Sequence, residues 1–289
     1  MVFNSLTYAI FFVVVLAIYH SSRHRTQNAI LLIASYVFYG WWDLRFLFLI
    51  ALSTTFDYWA GLLINNGYLT KREKLLPAIS LSCVGFVCLG INYGGTLTSP
   101  RIALDTLHLA YLCGGLAIFM VAAGLFYRLA STFRSERRRT LVLVASICQN
   151  LVILGFFKYF NFFISSAAAA IESIGFEAHL TTLHIALPIG VSFYTFQSIS
   201  YSIEVYQRKV APSSRFSDFA LFVSYFPQLV AGPISRASAL LPQILSARAV
   251  TYDQITSGVF LILFGLFKKV GIADAICPVD GLVDNGNEQ

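Results

Sequence analysis

Residues 187–208 read LPIGVSFYTFQSISYSIEVYQR. The segment is long and aromatic enough for a bilayer helix, yet it carries Ser192, Tyr194, Thr195, Gln197, Ser198, Ser200, Tyr201, Ser202 and Glu204. Hydrocarbon offers such groups no hydrogen-bond partner, so in a membrane helix they must face protein or water. At ~100° per residue, Tyr194, Gln197, Tyr201, Glu204 and Arg208 fall within roughly 80° of one another. Ile189, Phe196, Ile199 and Ile203 take the opposite side. The polar face fits the wall of a hydrated cavity or tunnel. It also fits a helix whose hydroxyls bond their own backbone while its aromatics pack on neighbours.

Composition sets the surroundings of that helix. The 289-residue chain is 57% hydrophobic and only 12% charged, where a soluble domain carries roughly 25% charged residues. Its apolar residues cluster into runs of about 20, the length that ~30 Å of hydrocarbon demands at ~1.5 Å per residue. The expectation is an all-α, polytopic membrane protein with about eight spans, at roughly 3–19, 28–42, 44–64, 75–93, 102–127, 140–164, 183–204 and 258–277. Re-entrant or interfacial helices supplement them. The first run, LTYAIFFVVVLAIY, follows MVFNS, which lacks the basic residues and cleavage pattern of a signal peptide, and reads as a retained span.

The net charge of +6 sits in short connections, where it reads as a topology signal rather than a nucleic-acid surface. Connections after odd-numbered spans hold Arg23 and Arg25, then Lys71, Arg72 and Lys74, then Arg134 with Arg137 to Arg139, then Arg208, Lys209 and Arg215. This set is expected on the cytoplasmic side, with the N-terminus outside.

Two further features bear on function. Residues 216–244, FSDFALFVSYFPQLVAGPISRASALLPQI, are interrupted by Pro227, Gly232, Pro233 and Pro242 and read as a broken, re-entrant or interfacial element. Asp57 lies inside the third apolar run, where a charge is costly unless paired, so an Arg or Lys on a neighbouring helix is the expected partner, with a proton relay as the alternative. The five cysteines form no CxxC pair and no metal-ligand spacing with the five histidines, so no metal site is expected. None of His20, His24, His108, His179 and His184 sits in a polar constellation that would hold a general base.

Several segments carry a resemblance. ASYVFYGWWDLRFL at 34–47, STTFDYWAGLLI at 53–64, FFKYFNFF at 156–163, LPIGVSFYTFQSISYSIEVYQ at 187–207 and DFALFVSYFPQLVAGPISRASALLPQ at 218–243 resemble the membrane-bound O-acyltransferase (MBOAT) family, nearest its alginate O-acetylation branch. The resemblance implies a multi-helix fold around a funnel, spanning 1–289 as a single membrane-embedded domain in a bacterial inner membrane. It implies acyl transfer, by default acetyl, from a cytoplasmic thioester such as acetyl-CoA to an envelope polysaccharide such as alginate. Membrane-anchored or periplasmic partner proteins would complete the transfer, and no bound cofactor is expected. Candidate cavity-lining residues are Tyr194, Gln197, Tyr201, Glu204, Gln228 and Arg236, with Pro227, Gly232 and Pro233 as a structural bend.

The family's catalytic His stands in a Trp-His context after the segment that GLFKKVGIADAI resembles, which places it beyond Gln289. No catalytic residue is therefore assigned, the domain is expected to be C-terminally incomplete, and the chain alone is expected to be inactive. The alternative is a noncatalytic membrane scaffold or transport component, or an inactive piece of the enzyme.

The charge pattern predicts that, in a cysteine-free background, Ser135→Cys reacts with a membrane-impermeant thiol reagent from the cytoplasmic side only. Labelling from the opposite side would contradict the topology.

Overall fold

The computed structural model describes residues 5–96, 99–104, 106–174, 190–229, 235–248 and 250–273. In chain order the helices are α1 (Leu6–His20), α2 (His24–Gly40), α3 (Arg45–Asn65), α4 (Lys71–Gly85), α5 (Thr106–Thr132), α6 (Ser135–Ser173), α7 (Val191–Tyr206), α8 (Phe216–Ser224), α9 (Phe226–Leu229), α10 (Ala237–Leu245) and α11 (Tyr252–Leu266). π-Helical turns extend α4 over Phe86–Gly90 and α11 over Phe267–Ala273. Between α4 and α5 lies an antiparallel hairpin of β1 (Ile91–Thr96) and β2 (Ser99–Leu104), pairing Ile91 with Leu104 and Thr96 with Ser99. The fold is otherwise helical, and the hairpin takes residues 91–93 and 102–104 out of the spans expected there.

Four helical stretches are long and apolar enough to cross a membrane: Arg45–Asn65, Leu109–Thr132, Ser135–Ala168 and Tyr252–Ala273. The chain is thus a membrane protein by composition and helix length. The other expected spans correspond to α1, α2 and α7, which have 15, 17 and 16 residues, and to α4, which runs on through its π turn to Gly90. At ~1.5 Å per residue α1, α2 and α7 reach only about 22–26 Å, short of ~30 Å of hydrocarbon, while α4 opens on Lys71, Arg72, Glu73 and Lys74. Four of the eight expected spans therefore meet the criteria of length and hydropathy.

The described chain falls into two compact units, Arg25–Leu245 and the pair of segments Met1–His24 with Ser246–Gln289. In the smaller unit, Arg248 donates to the Tyr19 hydroxyl at 3.2 Å, tying the segment before α11 to α1. Thr251 and Gln254 form a capping box that starts α11 at Tyr252, several residues before the expected 258. Its side chains Phe260, Leu261 and Leu263 are exposed, as are Val13 and Val14 of α1, surfaces suited to lipid.

The larger unit is organised around α3, which buries Ile50, Ala51, Tyr58, Trp59, Leu62, Leu63 and Ile64 along with several polar residues. Local signals fix its ends. Asp43 accepts from the Arg45 amide at 2.9 Å in an Asx-type turn, and the Arg45 guanidinium grips the same carboxylate at 2.7–3.1 Å. That contact holds the Asp43 carboxyl below its usual pKa. After α3, Gly67 takes φ 79°, a conformation that glycine adopts without strain, and a Thr70–Glu73 capping box begins α4.

Packing of α3 on α7 depends on one small residue. A Cβ at Gly61 would stand 2.5 Å from the Tyr201 hydroxyl and 2.7 Å from its ring, and that ring packs at a tilt against Phe219 with centroids 4.5 Å apart. Close helix approach through small residues is the usual packing device in membranes. Gly61→Ala should therefore cost about 1–3 kcal/mol by overpacking. Gly114→Ala, on α5 with open space around it, should stabilise by about 0.5–1 kcal/mol through helix propensity. Thermal unfolding in detergent checks both, and equal effects would contradict the packing.

Candidate functional site

The polar face of α7 points into the larger unit. Tyr194, Thr195, Gln197, Ser198, Tyr201, Ser202 and Glu204 are buried, Phe196 is exposed, and Ile199 and Ile203 are half-buried. Gly190, at φ 77°, starts the helix, and a Cβ there would meet the Leu229 carbonyl at 2.5 Å, so the beginning of α7 lies directly against α9.

Part of this polarity holds the broken element together. α8 ends at Ser224 and α9 begins at Phe226, leaving backbone groups without helical partners. Gln197 Nε2 donates to the Phe222 carbonyl at 2.6 Å, and the Phe226 amide donates to Ser35 Oγ of α2 at 3.2 Å. Pro227 occupies the first turn of α9, where a missing N–H removes no helical bond. Gly232 and Pro233, the remainder of the expected bend, lie outside the described residues.

Glu204 caps a helix. Its carboxylate accepts from the Ser238 amide at 2.7 Å and from the Ser238 hydroxyl at 3.2 Å, satisfying the first turn of α10 from a neighbouring element. Asn28 of α2 completes this corner by donating to Asp218 at 3.1 Å and to the Ile244 carbonyl at 2.9 Å. Arg236 is exposed just before α10. At the same C-terminal end of α7, Arg139 of α6 donates to the Tyr206 carbonyl, a cation on a helix C-terminus.

Other polar groups on the same face have no protein partner. Among the described residues the hydroxyls of Tyr39 and Tyr194 and Gln228 Nε2 are buried without a hydrogen bond, as are the hydroxyls of Thr195, Ser198 and Tyr201 on α7. They come from three elements that meet. Ser35 bonds Phe226 and the Phe38 ring lies 5.7 Å from that of Phe226, bringing α2 to α9. Gly190 abuts Leu229, and Tyr39 and Tyr194 belong to one buried cluster. Leaving such groups unbonded costs about 1–3 kcal/mol each. Of the sequence candidates, the structure brings Tyr194 and Gln228 to this corner, commits Gln197 and Glu204 to backbone, and packs Tyr201 on Gly61. Tyr39 and Ser35 went unmarked because a lone Tyr or Ser in an apolar run is ordinary.

Asp57 also departs from expectation. No Arg or Lys among the described residues partners it; Ser53, Ser146 and Asn150 do, at 2.8–3.2 Å. The legible signal was spacing, since Ser53 and Asp57 on α3 and Ser146 and Asn150 on α6 are both i, i+4 pairs inside apolar runs.

No histidine side chain is described in this interior. His20 is exposed at the end of α1, only the backbone of His24 and His108 is described, and His179 and His184 lie outside the described residues. Among the described residues no cluster of His, Cys, Asp and Glu could hold a metal.

The sequence is similar to those of known proteins. A probable alginate O-acetylase of Azotobacter vinelandii is 35% identical over 96% of this chain and 43% of its own length. The one from Pseudomonas aeruginosa is 34% identical over 96% of this chain and 41% of its own length. A peptidoglycan O-acetyltransferase of Helicobacter pylori is 36% identical over 47% of this chain and 30% of its own length. The chain thus spans about two-fifths of the alginate O-acetylases it matches. No protein-family model matches the chain, and no solved structure does.

The cap on α10 predicts that Glu204→Ala costs about 1–2 kcal/mol while Glu204→Gln, which keeps an acceptor, costs less. Thermal unfolding of the two variants checks the order, and equal losses would contradict the assignment.

Proposed function

We propose that this chain, a homologue over 96% of its length of MBOAT-like O-acetyltransferases, forms the interior wall of an enzyme that acetylates a cell-envelope polysaccharide. The observation that carries the reading is the corner of Tyr39, Tyr194 and Gln228, buried polar groups with no protein partner on adjoining elements. In a bilayer such groups are tolerated where they line a protein interior that meets water or substrate.

The donor is an acyl thioester, acetyl-CoA by default, approaching from the cytoplasm. The acceptor is a sugar hydroxyl of an exopolysaccharide or of peptidoglycan on the outer side, delivered with membrane-anchored or periplasmic partner proteins. The protein sits in the bacterial inner membrane as a multi-pass chain with its N-terminus outside. In the reaction the hydroxyl oxygen attacks the thioester carbonyl, its proton passes to a base, and the thiolate leaves to collect a proton. Tyr39, Tyr194 and Gln228 supply hydrogen bonds that orient the oxygen atoms of the reacting groups, and Gln197, Ser35 and Glu204 keep the broken element rigid behind them.

The base is proposed to come from a Trp-His segment of the family's kind, in cis or as a second polypeptide. A positioned base contributes typically ~10²- to 10⁴-fold to such a transfer, and no described residue is placed to act as one. The chain reconstituted alone should therefore fail to acetylate polysaccharide. Adding a segment that carries the family's Trp-His motif, in cis or as a second polypeptide, should restore turnover with acetyl-CoA. Acetylation by the chain alone, abolished by substitution of His108 or His184, would overturn this assignment of the base. Absence of turnover with the added segment would favour a noncatalytic scaffold.

A further inference from the structure

The node around Asp57 is short of one hydrogen. Ser53 Oγ lies 3.2 Å from Asp57 Oδ2 and 3.0 Å from Asn150 Oδ1. Both atoms are acceptors if the aspartate is ionised, and a serine hydroxyl has one hydrogen to give. Reversing the Asn150 amide does not help. Its Nδ2 stands 2.9 Å from each Asp57 oxygen and 3.0 Å from the Ser146 carbonyl, three acceptors that an amide oxygen in that place would repel. The Ser146 hydroxyl is also committed, donating to Asp57 Oδ1 at 2.8 Å while accepting from Ser202 Oγ at 2.8 Å.

We infer that Asp57 is a proton-binding site in the membrane interior, held as the neutral carboxylic acid. Its Oδ2–H donates to Ser53 Oγ, whose own hydrogen goes to Asn150 Oδ1. Ser53 then accepts once and donates once, while Asn150 Nδ2 spreads its two hydrogens over the Asp57 carboxyl and the Ser146 carbonyl. The acid also removes the need for a counter-ion, which agrees with the groups facing it. α6 offers Ser146 and Asn150, and α7 offers Ser198, Ser202 and the neutral Tyr201 phenol. On α4, Glu73 is bonded to Thr70 and Lys74 lies over the Tyr127 ring, while Asp218 of α8 is bonded to Asn28. Among the described residues, no cation reaches the carboxyl. Through Ser146 the proton is linked to Ser202, so the site belongs to α7 as much as to α3. None of this depends on the acetyltransferase reading, because it follows from the contacts alone.

Infrared spectroscopy of the whole chain in lipid bilayers at neutral pH tests it. The wild type should show the C=O stretch of a protonated carboxylic acid that shifts in D₂O and is missing from Asp57→Asn. Because an amide nitrogen at the Oδ2 position would face Asn150 Nδ2, 2.9 Å away, the band is also read on the wild type with ¹³C-labelled aspartate, where it should shift with the label and which needs no variant. Absence of the band from the wild type, or a band that the aspartate label does not move, would overturn the inference.

Discussion

A polar side chain inside a bilayer must find its hydrogen bonds in protein or in water, and this constraint falls hardest on the contact of α3, α6 and α7. Asp57, Ser53, Ser146, Asn150 and Ser202 meet there, all fully or nearly fully buried, and bond one another rather than lipid. Deleting one member would leave the others unbonded, at about 1–3 kcal/mol for each. The node thereby fixes the rotation of three helices at once. Once α7 is set, its remaining polar residues have determined neighbours: Gln197 reaches the end of α8, Glu204 reaches the start of α10, and Tyr194 comes to rest beside Tyr39.

The broken element shows the same economy. α8, α9 and α10 are short pieces whose free backbone ends would be intolerable in hydrocarbon. Ser35, Gln197 and Glu204 each take up one or more of those ends from a neighbouring helix. The interruption brings α9 against α2 through Phe226 and against α7 through Leu229, and the side chains bonded behind it keep that packing in place.

Much of this was legible in the sequence. The helical, membrane-embedded character followed from the apolar runs, the inward polar face of α7 from its periodicity, and the break between α8 and α9 from Pro227, whereas Pro242 is accommodated inside α10 rather than interrupting it. The lengths of α2 and α7 were not, because apolar runs continue through turns where Gly40 ends one helix and Gly190 starts the other. The β1–β2 hairpin was hidden in the same way, since apolar residues at 91–93 and 102–104 look alike in strand and helix. Asp57 was misjudged for a different reason. A charge in a span suggests a countercharge, whereas Asn150 and three serines, all common in membrane helices, supply a neutral solution that no single residue announces.

The central proposal is that the polar face of α7 at Tyr194, buried in this structure, is reached by water and by the acyl donor, while the other face borders lipid. Thiol modification measures this directly in a cysteine-free background. Tyr194→Cys should react with a small water-soluble methanethiosulfonate, with acetyl-CoA slowing the reaction, and Phe196→Cys should react only with a membrane-soluble maleimide. If position 196 takes the water-soluble reagent and position 194 does not, α7 faces the other way and the interior described here is not the site.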